Sequence, residues 1–252
     1  MWKTLYRSVQ GISHQRSGQP CQDNCAAREI ELPGETVLVL ACSDGAGSAE
    51  QSQVGSRLAC DTLIDLVAAE LRLAGAMSRI ASEQALSWLG EVHKAIAAEA
   101  DVRETDARQL ACTLLFAVLG RSGAAFGQVG DGAIVVWQDG QYQPIFWPQS
   151  GEYVNTTNFI TDPRYQTFLE FAWCDAPVDE VALFTDGLQM LGLDFRQRAA
   201  HGPFFSPMFE ALRKQDRPED LALPLQTFLE SPELAERTDD DKTLVLATRV
   251  AS

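Results

Sequence analysis

Apolar residues in this chain fall into short unbroken runs and two longer amphipathic stretches. The segments "TVLVLACSD", "CTLLFAVLG", "AAFGQVGDG", "AIVVWQDGQYQPIF", "EVALFTDGL" and "KTLVLATRV" are rich in β-branched and aromatic residues and read as strands. "RSG" between the second and third suits a tight hairpin, and "QDGQ" offers the Asp-Gly pair favoured where a two-residue turn needs positive φ. Residues 49–73 carry Val54, Leu58, Leu63, Leu66, Val67 and Leu71 at nearly helical spacing, which predicts an amphipathic helix. Residues 82–100 predict a second, with Ser82 as its N-cap and a stripe of Leu86, Leu89, Val92 and Ile96. Residues 201–236 are mixed and proline-bearing, with short helices expected in "SPMFEALRK" and "LALPLQTFLE". No repeat or linker interrupts the chain, so residues 1–252 are expected to form a single domain. Strands, then helices, then strands argue for an α+β layered fold over alternating βαβ units.

Composition narrows the functional classes. The 252 residues are 46% hydrophobic and 22% charged, an ordinary globular balance. No apolar run approaches the roughly 18 residues that span a bilayer. "MWKTLYRSVQG" lacks the apolar centre of a signal peptide. The expected location is therefore cytoplasmic, with no membrane contact. Acidic residues number 35 against 20 basic, a formal charge of −15, and no basic patch stands out, so nucleic acid is not an expected partner. Cys21, Cys25, Cys42, Cys60, Cys112 and Cys174 form no CxxC pair and read as free thiols of a reducing compartment.

The chemistry gathers where strands stop. An apolar run delivers an aspartate followed by glycine at Asp44-Gly45, Asp131-Gly132 and Asp186-Gly187. Asp239-Asp240-Asp241 precedes the last strand, and Asp23 lies in "PCQDN". One Asp-Gly alone is a common turn. Several converging carboxylates would repel and raise one another's pKa values, so such a set needs a cation. Oxygen-only ligands select a hard ion such as Mg²⁺ or Mn²⁺, and glycine beside the aspartate leaves a bare carbonyl as a further ligand.

The segments "CQDN", "DGAG", "GQVGDG", "FTDG" and "DDDKT" follow the order and strand contexts of the type 2C metal-dependent (PPM) serine/threonine protein phosphatases. The chain resembles this family over residues 11–250, and "GISHQRSGQPCQDN", "GEYVNTTNF" and "FTDGL" look most like its compact bacterial branch. The resemblance implies a four-layer α/β/β/α sandwich, two antiparallel β-sheets flanked by helices. It also implies a site with two Mn²⁺ or Mg²⁺ ions and room for a weaker third. Asp44 resembles the bridging ligand, with the Gly45 carbonyl beside it, and Asp186 and Asp240 resemble ligands of one metal. Asp23 matches the acidic N-terminal position, and Asp131 the aspartate associated with the weaker ion. The implied reaction is hydrolysis of phosphoserine or phosphothreonine by direct attack of a metal-bridging hydroxide. The implied partners are phosphorylated proteins and a cognate Ser/Thr kinase.

The sequence departs from the family in places. Gly18 stands where relatives carry a phosphate-gripping arginine, so His14 or Arg16 is expected to supply that contact. Ala46 replaces a histidine that serves some relatives as general acid, and Gln22 replaces a glutamate, which should weaken one metal's water shell. Asn155, Thr156, Thr157 and Asn158 are candidates for a substrate surface at the mouth of the site. These departures keep two alternatives open: a metal phosphohydrolase of a small phosphoester, and a metal-binding pseudophosphatase that only recognises phosphoproteins.

Overall fold

A computed structural model describes residues 1–149 and 157–250. In chain order the main elements are β1 (Trp2–Val9), α1 (Ile12–Ser17), β2 (Asn24–Leu32), β3 (Glu35–Ser43), α2 (Ser52–Ala74), α3 (Ser82–Val102), β4 (Leu114–Leu119), β5 (Ala124–Val129), β6 (Ala133–Gln138) and β7 (Gln141–Pro144). Then come α4 (Tyr165–Phe168), β8 (Glu170–Cys174), β9 (Glu180–Phe184), α5 (Gln189–Gly192), β10 (Leu193–Asp194), β11 (Ala199–Ala200), α6 (Gly202–Lys214), α7 (Ala222–Leu229), α8 (Pro232–Ala235) and β12 (Lys242–Arg249). One antiparallel sheet has the order β1-β12-β9-β6-β7 and the other β2-β3-β4-β5-β8. The architecture is the expected α+β sandwich of two antiparallel sheets between helices.

Strand periodicity explains the layering. In β3, Leu38, Leu40 and Cys42 point between the sheets, where they meet Leu115, Phe126, Leu183 and Val245. The alternate residues Val37, Val39 and Ala41 point outward onto α2 and α3, joining Leu63, Val67, Trp88 and Val92. The first sheet repeats the arrangement, packing Leu5, Phe184 and Leu244 under Phe205 and Phe209 of α6 and Leu225 of α7. Central strands are thus buried on both faces, so they read as continuous apolar runs.

Local signals are met in most places. α2 begins at Ser52, later than residue 49, because Ala49 and Gln51 donate their amides to the Ala46 and Gln109 carbonyls in a turn. The hairpin between β6 and β7 turns on Asp139 and Gly140, with φ of 52° and 81°, the mirror-image turn that Asp-Gly favours. Ser82 is not an N-cap: Ala81 occupies that position without a side-chain cap, and the Ser82 hydroxyl donates to Glu83. No helix among the described residues is long and apolar enough to cross a membrane.

Candidate metal centre

Each acidic residue reaches the same end of the sandwich on a strand terminus. Asp44 follows β3, and its backbone is clasped on both sides: its N–H donates to Thr113 Oγ1 at 2.9 Å and its carbonyl accepts from the Thr113 N–H at 2.8 Å. Gly45 then bridges to Cys112. Asp131 lies in the turn between β5 and β6, and Asp186 opens the turn that follows β9. Asp23 immediately precedes β2, and residues 239–241 immediately precede β12. One carboxylate oxygen from each of Asp44, Asp131 and Asp186 lies within 4.8 Å of the others. Residues 87 and 55 positions apart are brought together because their strands end on one edge of two facing sheets.

Asp23 stands beside Asp44, close enough for their carboxyl groups to share a hydrogen bond. Its Oδ2 accepts from Thr185 Oγ1 at 2.7 Å, and Thr185 Oγ1 in turn accepts the Thr243 N–H at 3.0 Å. Asp240 adds its negative charge to Asp186 and Asp131. Asp241 instead turns into the protein, 1% exposed. Its carboxylate accepts the Gly11 N–H at 2.6 Å and the Gln22 N–H at 2.5 Å, and lies 2.9 Å from His14 Nδ1. Adjacent aspartates thus serve opposite sides of the same turn.

Electrostatics without a cation are unfavourable. Burial pushes Asp23 up to about 7, against the lowering effect of its hydrogen bonds to Asp44 and Thr185. Burial, then the charges of Asp131, Asp240 and Asp23, push Asp186 up to about 8. Burial, then Asp23 and Asp186, hold Asp44 well above the usual carboxylate range. Burial raises Asp131 also. The buried Oδ1 atoms of Asp23 and Asp131 have no hydrogen-bond partner among the described residues. Desolvated, mutually repelling, unpartnered oxygens are the donor set that suits a hard divalent cation.

The glycines after these aspartates are required by close packing. A Cβ on Gly45 would fall 2.8 Å from the Gln22 carbonyl oxygen, and one on Gly187 would fall 1.9 Å from that of Asp241. Close backbone approach at Gly187 seats the turn carrying Asp186 against residues 239–241.

The upstream candidates lie differently. His14 is buried and faces Asp241, and Arg16 is exposed on the last turn of α1. Gly18 ends that helix in the left-handed conformation, φ 70°. Thr157 donates to Asp131 Oδ2 at 2.7 Å, and Asn158 donates to Gln149 at 3.2 Å. Asn155 and Thr156 lie outside the described residues. Sequence reasoning missed Thr113, Thr185 and Asp241 as supports of the site. Thr185 and Asp241 adjoin acidic candidates, but their partners are remote in the chain, 162 residues away for the Thr185–Asp23 bond.

The profile of the family described as Protein phosphatase 2C matches residues 10–229. The chain is 35% identical over 249 residues to serine/threonine-protein phosphatase 3 of Escherichia coli K12, covering 98% of each. Its fold is similar to the catalytic domain of the serine/threonine protein phosphatase PstP in complex with two manganese ions, with TM-score 0.66, 18% identity and 99% of each chain covered. It is also similar to the serine/threonine phosphatase Stp1 of Staphylococcus aureus, with TM-score 0.62, 18% identity and 100% and 96% covered. An acidic cluster at the strand ends of a two-sheet sandwich and a match over most of the chain agree: the protein belongs to the protein phosphatase 2C family of metal-dependent serine/threonine phosphatases.

Proposed function

We propose that residues 1–252 form one catalytic domain that hydrolyses phosphoserine and phosphothreonine in phosphorylated proteins, opposing a Ser/Thr kinase, with Mn²⁺ or Mg²⁺ as cofactor. The observation that carries this reading is the convergence of Asp44, Asp131 and Asp186, with buried Oδ1 atoms of Asp23 and Asp131 that have no hydrogen-bond partner among the described residues. Asp44, Asp186 and Asp240 would hold two ions, with the Gly45 carbonyl and Asp23 completing the set and Asp131 serving a weaker third. Bound there, divalent ions supply an activated water for in-line attack on phosphorus and neutralise charge on the phosphoryl oxygens.

The chain's own residues set the geometry. Thr113 fixes the Asp44 backbone from both sides, so this carboxylate presents itself without reorganisation. Thr185 holds Oδ2 of Asp23, and Oδ1 has no hydrogen-bond partner among the described residues. Asp241 anchors the 239–241 turn, with His14 acting through it and Arg16 left exposed to receive the phosphate. Ala46 offers no proton to a departing alkoxide, so esters with poor leaving groups depend on another donor.

A phosphothreonine peptide and p-nitrophenyl phosphate, each assayed with Mn²⁺ and with EDTA, test the reading. Mn²⁺-dependent turnover of the peptide is expected. Turnover of small esters alone would favour the small-phosphoester alternative. Mn²⁺ binding and peptide binding without turnover of either would favour the pseudophosphatase.

A further inference from the structure

Asp131, like Asp23, is held at one carboxylate oxygen by a threonine hydroxyl. Its Oδ2 accepts the Thr157 hydroxyl at 2.7 Å, while Oδ1 is buried and has no hydrogen-bond partner among the described residues. Its backbone carbonyl accepts from the Gln189 side chain. Thr157 itself opens a segment that is tied down on several sides. Asn158 Nδ2 donates to Gln149 Oε1 at 3.2 Å, and the same oxygen accepts the Gly130 N–H at 2.9 Å, one residue before Asp131. The Ile160 N–H donates to the Cys112 carbonyl at 2.9 Å, and His93 Nδ1 lies 2.8 Å from the Ile160 carbonyl. Cys112 bridges to Gly45, beside Asp44. Residues 157–160 are therefore braced against both the turn that carries Asp131 and the strand end that carries Asp44.

We infer that Thr157 is a positioning residue for divalent-cation binding: its hydroxyl occupies Asp131 Oδ2, fixes the carboxylate rotamer and reserves Oδ1 for the cation. The inference rests on reading the cluster as a divalent-cation site. A carboxylate with both oxygens unheld would rotate among several orientations, and the cation would have to select one. A carboxylate pinned at one oxygen is already oriented, and loss of such an outer-shell hydrogen bond typically lowers metal affinity about 10- to 100-fold. The hydroxyl, not the threonine methyl, carries the effect, because the contact with Asp131 is made through Oγ1. A second consequence is linkage. Any ligand that shifts residues 157–160 alters cation affinity at Asp131, and cation binding alters that ligand's affinity by the same factor.

Calorimetric titration of the whole protein with MnCl₂ tests this, with Asp131→Asn used to identify the binding event that depends on Asp131. Thr157→Val should weaken that event by about 10-fold or more. Thr157→Ser, which keeps a hydroxyl, should hold it within about 3-fold of wild type, and the remaining Mn²⁺ events should be unchanged in both variants. The melting temperature of each variant in EDTA separates this from general damage, and both should melt close to wild type. An unchanged or tighter event in Thr157→Val overturns the inference and leaves the cation site standing. Equal weakening in Thr157→Ser and Thr157→Val also overturns it, since the hydroxyl would then not be responsible. Absence of any Mn²⁺ binding by the wild type removes both the site and the inference.

Discussion

At the scale of single residues, neighbouring aspartates have separate duties, and substitution should distinguish them. Asp44 is a half-buried carboxylate surrounded by other carboxylates. Asp44→Asn should lower Mn²⁺-dependent turnover by about 100- to 1,000-fold, on the scale of losing one preorganised electrostatic group. In EDTA the same variant should be more stable than wild type, because it removes one of several crowded, mutually repelling carboxylates. Urea denaturation with and without Mn²⁺ measures both sides of this exchange. Asp241 behaves oppositely, since its carboxylate accepts the Gly11 and Gln22 amides and faces His14. Asp241→Ala should cost about 3–5 kcal/mol by leaving those buried donors and His14 without their partner, whereas Asp239→Ala, at an exposed position, should be nearly neutral. Asp44, Asp131 and Asp186 were legible because aspartate followed by glycine at the end of an apolar run is a local pattern, whereas the roles of Asp23 and Asp240 came from the family resemblance. Thr185 and Thr113 were not legible, because hydroxyls earn their meaning from partners far along the chain.

At the scale of elements, glycines at the strand ends decide whether the turns can close. Gly187→Ala would place a methyl 1.9 Å from the Asp241 carbonyl oxygen, with backbone rather than a flexible side chain in the way. It should destabilise the protein by about 1–3 kcal/mol and weaken Mn²⁺ binding as the Asp186 turn moves off residues 239–241; thermal melts and calorimetry report the two effects. The central strands and both long helices were readable from periodicity. β1 was not, for a physical reason: its buried residues are Trp2, Leu5 and Val9, spaced three and four apart, which imitates a helix face. β2 escaped notice because it lies at a sheet edge and buries fully only Ile30 and Leu32. Their register came from pairing with β12 and β3, which no local window contains.

At the scale of the whole molecule, the fold concentrates negative charge at one end of a chain that already carries −15. Folded pKa values of about 7 for Asp23 and about 8 for Asp186 lie far above the ~3.9 of an unfolded aspartate. Between these values the folded chain holds protons that the unfolded chain has released, so these groups make stability fall as pH rises from about 4 through 8. In EDTA the protein should therefore resist urea better at pH 5 than at pH 8. Saturating Mn²⁺, which replaces those protons, should give its largest stabilisation at pH 8. The layered architecture was visible in the sequence as strand runs around two helical blocks. The convergence of strand ends that makes a site was suggested by the family resemblance, and its supporting network emerged only from the sheet order. Diffraction from crystals soaked in MnCl₂, recorded at the manganese absorption edge, shows whether the acidic cluster binds divalent cations. Anomalous peaks should flank the Asp44 carboxylate, in contact with Asp186 and Asp240. Strong Mn²⁺-dependent phosphatase activity with no peak at Asp44, or with peaks elsewhere in the molecule, would contradict this binding.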